Sequence, residues 1–169
     1  KVLEDRAFPV DELLAVASDR SAGRTVRFRG EEVPVIGMEA AIADINAAGG
    51  VLGRKLTLIT RDDVSAPPKS IQNMSELVDN EKVMAVFGPT NSGNAMAWKH
   101  IANQKKIPVL GNVGSGTDIT KPMSPGADNY MFRVSMVDRE QIAGLVAYAV
   151  KSGTKKIGLM GETTGYGQG

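Results

Sequence analysis

The strongest constraint on the fold of this chain is the way short apolar runs alternate with helical periodicity from residue 36 to the end. Residues 83–87 form a continuous apolar run, which is typical of a parallel strand covered on both faces. Further upstream, four apolar residues recur at the spacing of one helical face: Met38, Ala41, Ile42 and Ile45. Strands separated by amphipathic helices form βαβ units. We therefore predict an α/β fold with an open parallel sheet and helices on both faces.

The same pattern predicts the order of the elements. Further strands are expected at residues 55–60, 107–110, 130–134 and 156–160. Further helices are expected over residues 93–103 and 139–151. Between the strands at residues 55–60 and 83–87, a second helical face is expected from four apolar residues: Ile71, Met74, Leu77 and Val78.

The first 35 residues do not follow this alternation. Residues 11–17 predict a helical turn or two, and residues 25–29 alternate like a half-exposed strand. That pattern differs from the all-apolar run expected of a central parallel strand. We therefore separate residues 1–35 as an atypical N-terminal segment.

The composition excludes several classes of function. Lys and Arg number 20 against 19 for Asp and Glu, so no strong charge selects a nucleic acid or a membrane surface as partner. The absence of Cys excludes thiolate metal sites and disulfides. The single His, His100, has no second ligand at metal spacing, and adjacent Asp62 and Asp63 are interpreted as turn residues. We therefore predict no catalytic residues, no metal and no cofactor, and a protein that is not an enzyme.

Two loops rich in Gly, Ser, Thr and Asn follow predicted strands. In the first, residues 88–94, the Ser92 hydroxyl and the N–H groups at the start of a helix are suited to an anion. The alternative is that Ser92 or Asn91 simply caps the helix, and the two roles are compatible. Because ligands of open α/β sheets bind outside the carboxyl ends of the strands, this loop is a candidate site, and Asn91 is counted with it.

The second loop, residues 111–118, combines closely spaced glycines with Ser115. It lacks the Gly-Lys-Ser/Thr of a P-loop, which argues against a nucleotide. Exposed N–H groups and a hydroxyl suit a carboxylate, although an ordinary surface turn is the alternative. We expect this loop beside that of Ser92 at one edge of the sheet. Glu162 and Tyr166 follow the last predicted strand and are expected to line a cleft.

Several segments in order carry a resemblance to a known family. They are residues 36–56, the Gly88-Pro89 strand exit, the Ile107-Pro108-Val109 strand, the Asp118-Ile119-Thr120 turn and residues 166–169. Together they resemble the leucine/isoleucine/valine-binding proteins, which are type I periplasmic solute-binding proteins of ABC importers. The resemblance implies two α/β lobes that close over an amino acid or a similar small carboxylate. It also implies a periplasmic or secreted location and a membrane permease as partner.

The resemblance assigns roles to residues by position. Ser92 resembles the residue whose hydroxyl and N–H hold the ligand carboxylate, and Val113 the residue whose carbonyl accepts from the ligand ammonium. Ser115 resembles the residue that contacts both groups, and Tyr166 the aromatic of the opposite lobe that packs on the ligand. Residues 36–134 then form the first lobe, and residues 135–169 begin a second lobe that is incomplete.

The family resemblance leaves other functions open. An incomplete second lobe is expected of a truncated or altered family member. A ligand-sensing regulator on the same lobe, a nonfunctional remnant, and an α/β oxidoreductase or transferase are the alternatives. The helix at 139–151 would present an uncovered apolar face, namely Ile142, Leu145, Val146, Ala149 and Val150. We therefore expect it to fold back onto the first lobe or to form a homo-oligomer through that face.

Overall fold

The computed structural model describes residues 12–15, 27–28 and 31–168, with side chains from residue 38 onward. The strands are β1 Glu12–Ala15, β2 Arg27–Phe28, β3 Glu31–Glu32, β4 Lys55–Ile59, β5 Val86–Phe87, β6 Val109–Gly111 and β7 Met131–Arg133. The helices are α1 Val33–Ala47, α2 Pro67–Ser75, α3 Ser92–Lys105 and α4 Asp138–Lys151. A π-helical turn, Glu76–Asn80, extends α2, and a 3-10 turn, Thr117–Thr120, follows β6.

Parallel pairing dominates the described strands, as predicted. In the three-stranded sheet β5–β6–β7, Val86 pairs with Val109, which in turn pairs with Met131. A second parallel pair joins β1 and β4, whereas β2 and β3 pair antiparallel. The predicted α/β class with a parallel sheet is confirmed.

The core lies where α2 and α3 pack together beside the three-stranded sheet. Trp98 of α3 is 1% exposed, and its indole N–H donates to the Ser70 hydroxyl of α2 at 2.9 Å. The other fully buried side chains include Met74, Leu77, Ile119, Met131, Val86 and Val109. The predicted second helical face is therefore correct. His100, on the opposite side of α3 from these buried residues, is exposed.

The face predicted for α1 is only partly buried. Met38 and Ile42 are half-buried, whereas Ala41 and Ile45 are exposed. The side chain of Asn46 is tied to β4, because it both donates to and accepts from the backbone of Leu56. The helix itself was predicted correctly, but only two of the four residues of its predicted buried face are even partly buried.

The N-terminal prediction of a helical turn at residues 11–17 is wrong. Residues 12–15 form β1, which lies parallel to β4. A short apolar run suits either structure, and pairing with β4 supplies hydrogen-bond partners that an isolated turn lacks. The strand expected at residues 25–29 is present at residues 27–28, and the rest of that range lies outside the described residues. Helix α1 begins at Val33, inside the segment that we set apart.

The C-terminal region departs most from expectation. Helix α4 forms as predicted, but residues 156–160 form no strand, and residues 151–168 are exposed. A strand needs a neighbour for its backbone groups, and α4 with one further strand cannot build a sheet. Leu145 is 64% exposed and Val150 is 69% exposed, so the expected folding back of α4 onto the first lobe is wrong. Self-association through this face stays a prediction.

Candidate ligand site at the carboxyl edge of the sheet

The loops after β5 and β6 meet at the same edge of the sheet. The Ser92 side chain begins α3 and is buried, with 2% of its surface exposed. The Gly116 N–H, in the loop after β6, donates to Oγ of Ser92 at 3.2 Å. The two loops that the sequence placed side by side are therefore in direct contact.

Two glycines make this close approach possible. A Cβ atom on Gly116 would lie 3.1 Å from Cβ of Ser92, which is tighter than ordinary contact. A Cβ atom on Gly114 would lie 3.2 Å from Cδ1 of Ile119 and 3.6 Å from Oγ of Ser92. The closely spaced glycines of this loop are thus explained by packing against Ser92 and Ile119, in addition to the exposed N–H groups that the sequence suggested.

Asn91 caps α3. Its backbone is extended, and its side-chain oxygen accepts from the N–H groups of Gly93 at 2.7 Å and Asn94 at 3.3 Å. Of the two candidates for the cap, Asn91 takes this role, whereas Ser92 occupies the first helical position. The N–H at that position has no intrahelical acceptor. A contact between Asn91 and a ligand stays a prediction.

Replacing Asn91 by alanine removes this cap. The expected result is a loss of about 0.5–2 kcal/mol in the free energy of unfolding, because two N–H groups of α3 lose their acceptor. Urea denaturation followed by circular dichroism measures the effect. Asn91→Asp is the matched control, since aspartate also caps helices and its charge suits a helix N-terminus. Equal stability of the alanine variant and the unmodified chain would contradict this assignment.

The adjacent aspartates after β4 form turns, as predicted. Asp62 accepts from the N–H of Val64 at 2.8 Å, and Asp63 accepts from the N–H of Ser65 at 3.1 Å. Asp63 is buried and also accepts from the amide nitrogen of Asn94 at 2.6 Å. This last bond ties the loop after β4 to the first turn of α3. The two carboxylates therefore shape the edge on which the site lies.

The remaining candidates lie on the same two loops or face them. Val113 is 55% exposed and Ser115 is half-buried, both in the loop after β6. The turn that contains Tyr166 reaches the start of α3, because a Cβ atom on Gly165 would lie 2.6 Å from Cα of Gly93. Tyr166 itself is 51% exposed. Thus Ser92, Val113 and Ser115 share one edge, and the Tyr166 turn contacts that edge from the far end of the chain.

Two cations of this region were not singled out in the sequence, Lys99 and Arg133. Lys99 is 4% exposed on α3, and its ammonium donates to the carbonyl of Asp118 at 2.6 Å and to that of Lys121. Burial lowers the pKa of Lys99, and the nearby Asp118 carboxylate opposes this effect. Arg133, at the end of β7, donates to the carbonyls of Ser115 and Gly116, which directly precede the turn Thr117–Thr120. Among the described residues, no group of three His, Cys, Asp or Glu side chains is placed to hold a metal ion.

The fold defines a class of protein: α/β lobes with a parallel sheet, in which small molecules bind outside the carboxyl ends of the strands. The sequence model of the periplasmic binding proteins matches residues 32–169. The chain belongs to this family, and its relatives include leucine/isoleucine/valine-binding proteins. The family consists of solute-binding proteins, which confirms that the chain is not an enzyme.

Individual relatives are similar over most of this chain. An amino acid binding protein of Pseudomonas aeruginosa is 31% identical over 136 residues, which are 79% of this chain and 35% of that protein. A Leu/Ile/Val-binding protein of Citrobacter freundii is 28% identical over 99% of this chain and 44% of its own length. A substrate-binding protein of an ABC transporter from Desulfitobacterium hafniense, solved in complex with Leu, is 26% identical with a TM-score of 0.74. That match covers 94% of this chain and 44% of the solved one, so the chain spans less than half of each relative.

Proposed function

We propose that this chain is part of the substrate-binding component of an ABC importer, which binds an amino acid or a similar small carboxylate and delivers it to a membrane permease. The named relatives, one of them solved with Leu, support an amino acid as the ligand. In this proposal residues 36–134 form the ligand-binding lobe, and residues 135–169 begin the opposite lobe, with the ligand in the cleft between them. The family also supports a location in the periplasm or outside the cell. Over the described residues, no helix has the length and apolar character needed to cross a membrane.

The observation that carries this proposal is the contact between Ser92 and Gly116. It brings together the Ser92 hydroxyl, the glycine-rich loop after β6 and the first N–H of α3, that of Ser92, which the Asn91 cap does not accept from. N–H groups at a helix start attract anions, because they lack intrahelical acceptors and the helix dipole is positive there. A carboxylate is therefore the ligand group that this edge suits best.

The other parts of an amino acid find partners around this point. We assign the ligand ammonium to the carbonyl of Val113 and to Ser115, and the ligand side chain to the face of Tyr166. The half-exposed ring of Tyr166 offers apolar surface beside a polar floor. Ligand pockets of this type combine apolar walls with a few placed polar groups that fix orientation.

Calorimetric titration of the natural-length protein with leucine and with leucinamide tests the proposal. We expect leucine to bind and leucinamide to bind much more weakly, because the amide removes the negative charge that the helix N-terminus attracts. Equal binding of the two compounds would contradict recognition of the carboxylate. Binding of a nucleotide in place of any amino acid would contradict the proposed class of ligand.

Replacing Gly165 by alanine is expected to weaken leucine binding, because the added Cβ atom would lie 2.6 Å from Cα of Gly93. The Tyr166 turn then cannot reach the start of α3, so the ligand loses its cover. Gly158→Ala is the matched control, since a Cβ atom there meets open space. Titration calorimetry on both variants measures the difference. Unchanged affinity in Gly165→Ala would show that this contact is not part of the ligand-bound state.

A further inference from the structure

The loop that carries Ser115 and Gly116 is held by the guanidinium of Arg133 and by the backbone N–H of Asp138, which donates to the Ser115 carbonyl at 2.9 Å. Arg133 donates from Nη1 to the carbonyl of Ser115 at 3.0 Å and from Nη2 to the carbonyl of Gly116 at 2.8 Å. The same side chain binds the hydroxyl of Thr120, at 2.9 Å from Nη2 and 3.2 Å from Nε. The planar fork of arginine suits several acceptors at once, which the single ammonium of a lysine does not.

The bond to the Ser115 carbonyl also orients the next N–H. In a planar trans peptide, the carbonyl of Ser115 and the N–H of Gly116 belong to one rigid unit and point in opposite directions. Because Arg133 and the Asp138 N–H both hold this carbonyl, the Gly116 N–H is directed away from the guanidinium, and there it donates to Oγ of Ser92. Arg133 therefore acts on Ser92 through one peptide group.

The bond from Gly116 decides what the Ser92 hydroxyl does. A hydroxyl carries one hydrogen and two acceptor lone pairs. Because the Gly116 N–H occupies an acceptor position of Ser92, the hydroxyl hydrogen is left to donate to an anion at this edge. Hydrogen bonds in such a chain polarise one another, so the acceptor bond strengthens the bond that the hydroxyl donates.

A second cation holds the other end of the same turn. Lys99 donates to the carbonyls of Asp118 and Lys121, and it is 4% exposed. Together, Arg133 and Lys99 bind the carbonyls of residues 115–118 and 121, whereas the Thr120 carbonyl accepts from the side-chain amide of Asn129. Carbonyl oxygens directed at a carboxylate would repel it, and the two positive charges attract it.

We propose that Arg133 is a positioning residue for the ligand carboxylate: through the Ser115–Gly116 peptide group it orients the Ser92 hydroxyl as a donor to that carboxylate. Arg133 itself does not contact the ligand. The identity of the ligand group rests on the proposed function, whereas the ordering of the peptide group by Arg133 does not.

The test compares Arg133→Gln and Arg133→Lys in the natural-length protein, with leucine as the probe in titration calorimetry. We expect Arg133→Gln to weaken leucine binding by about tenfold to a hundredfold, which is the range for a lost hydrogen bond to a charged group. Arg133→Lys keeps the charge without the fork, so its loss is expected to be smaller. Arg139→Gln is the matched control, because it removes the same charge from a side chain that is 78% exposed, and it leaves the affinity unchanged.

Two further readouts separate positioning from a general loss of stability. If Arg133 acts through Ser92, Arg133→Gln weakens leucine binding much less in a protein that already carries Ser92→Ala. If the two variants act independently, their losses of affinity add. In the ligand-free protein, hydrogen exchange of the Gly116 amide is expected to become faster in both Arg133 variants and not in Arg139→Gln. Additive losses, or unchanged exchange at Gly116, would overturn the inference. If the unmodified protein binds neither leucine nor any other amino acid or small carboxylate, the proposed function fails, and exchange at Gly116 still decides whether Arg133 orders this peptide group.

Discussion

Replacement of Trp98 by alanine is expected to lower the free energy of unfolding by about 3–5 kcal/mol, the range for truncating a fully buried aromatic side chain. Trp98 is 1% exposed between α2 and the three-stranded sheet, so the variant leaves a large cavity. It also leaves the hydroxyl of Ser70 without the indole N–H that donates to it at 2.9 Å. Both effects act at the point where the helices and the sheet meet.

Urea denaturation followed by circular dichroism is the measurement, because Trp98 is the single tryptophan of the chain and its fluorescence disappears with it. Trp98→Phe is the control that separates the two effects. It keeps most of the apolar volume but loses the bond to Ser70, which costs about 1–3 kcal/mol when a buried partner is left unsatisfied. If Trp98→Ala lowered the free energy of unfolding by less than Trp98→Phe does, the position of Trp98 in the core would be contradicted.

Replacement of Ser92 by alanine is expected to weaken binding of leucine by about tenfold to a hundredfold, since hydrogen bonds to charged groups contribute about 1.5–3 kcal/mol. The variant removes the hydroxyl that we assign to the ligand carboxylate and also the acceptor of the Gly116 N–H. Ser115→Ala is expected to weaken binding by a similar factor, because Ser115 is assigned to the same ligand from the neighbouring loop.

Titration calorimetry of the natural-length protein with leucine measures both losses, and Ser124→Ala, on an exposed turn, is the control. The fold itself is expected to persist in all three variants, which circular dichroism checks. Unchanged leucine affinity in both Ser92→Ala and Ser115→Ala would mean that the ligand lies elsewhere in the protein.

The fold could be predicted wherever the apolar pattern reflects burial within the chain itself. The period of Met74, Leu77 and Val78 predicted a buried helical face, and the apolar run at residues 83–87 predicted a parallel strand, which the structure has at residues 86–87. Prediction failed where the pattern depends on partners. Residues 156–160 have the composition of a strand, but no described strand pairs with them. Residues 12–15 have an ambiguous composition, and the edge of β4 decides their structure.

The site could be predicted in part for a similar reason. The rule that parallel strands end at one edge placed the loops of Ser92 and Ser115 together, and the structure has them in contact. Arg133 and Lys99 were missed because their bonds to the turn join residues 13–22 positions apart, which no periodicity reveals. One signal was present in each case. Arg133 ends an apolar strand, and Lys99 directly follows Trp98 on a face that is otherwise buried.

A crystal structure of the natural-length protein with a bound amino acid tests the central claim most directly. The claim is that a carboxylate binds where the loops after β5 and β6 meet. We predict that the ligand carboxylate lies within about 3 Å of Oγ of Ser92 and of Ser115, the usual distance of a hydrogen bond to a charged group. A ligand bound at another surface, or bound here with its carboxylate directed away from Ser92 and Ser115, would contradict the account.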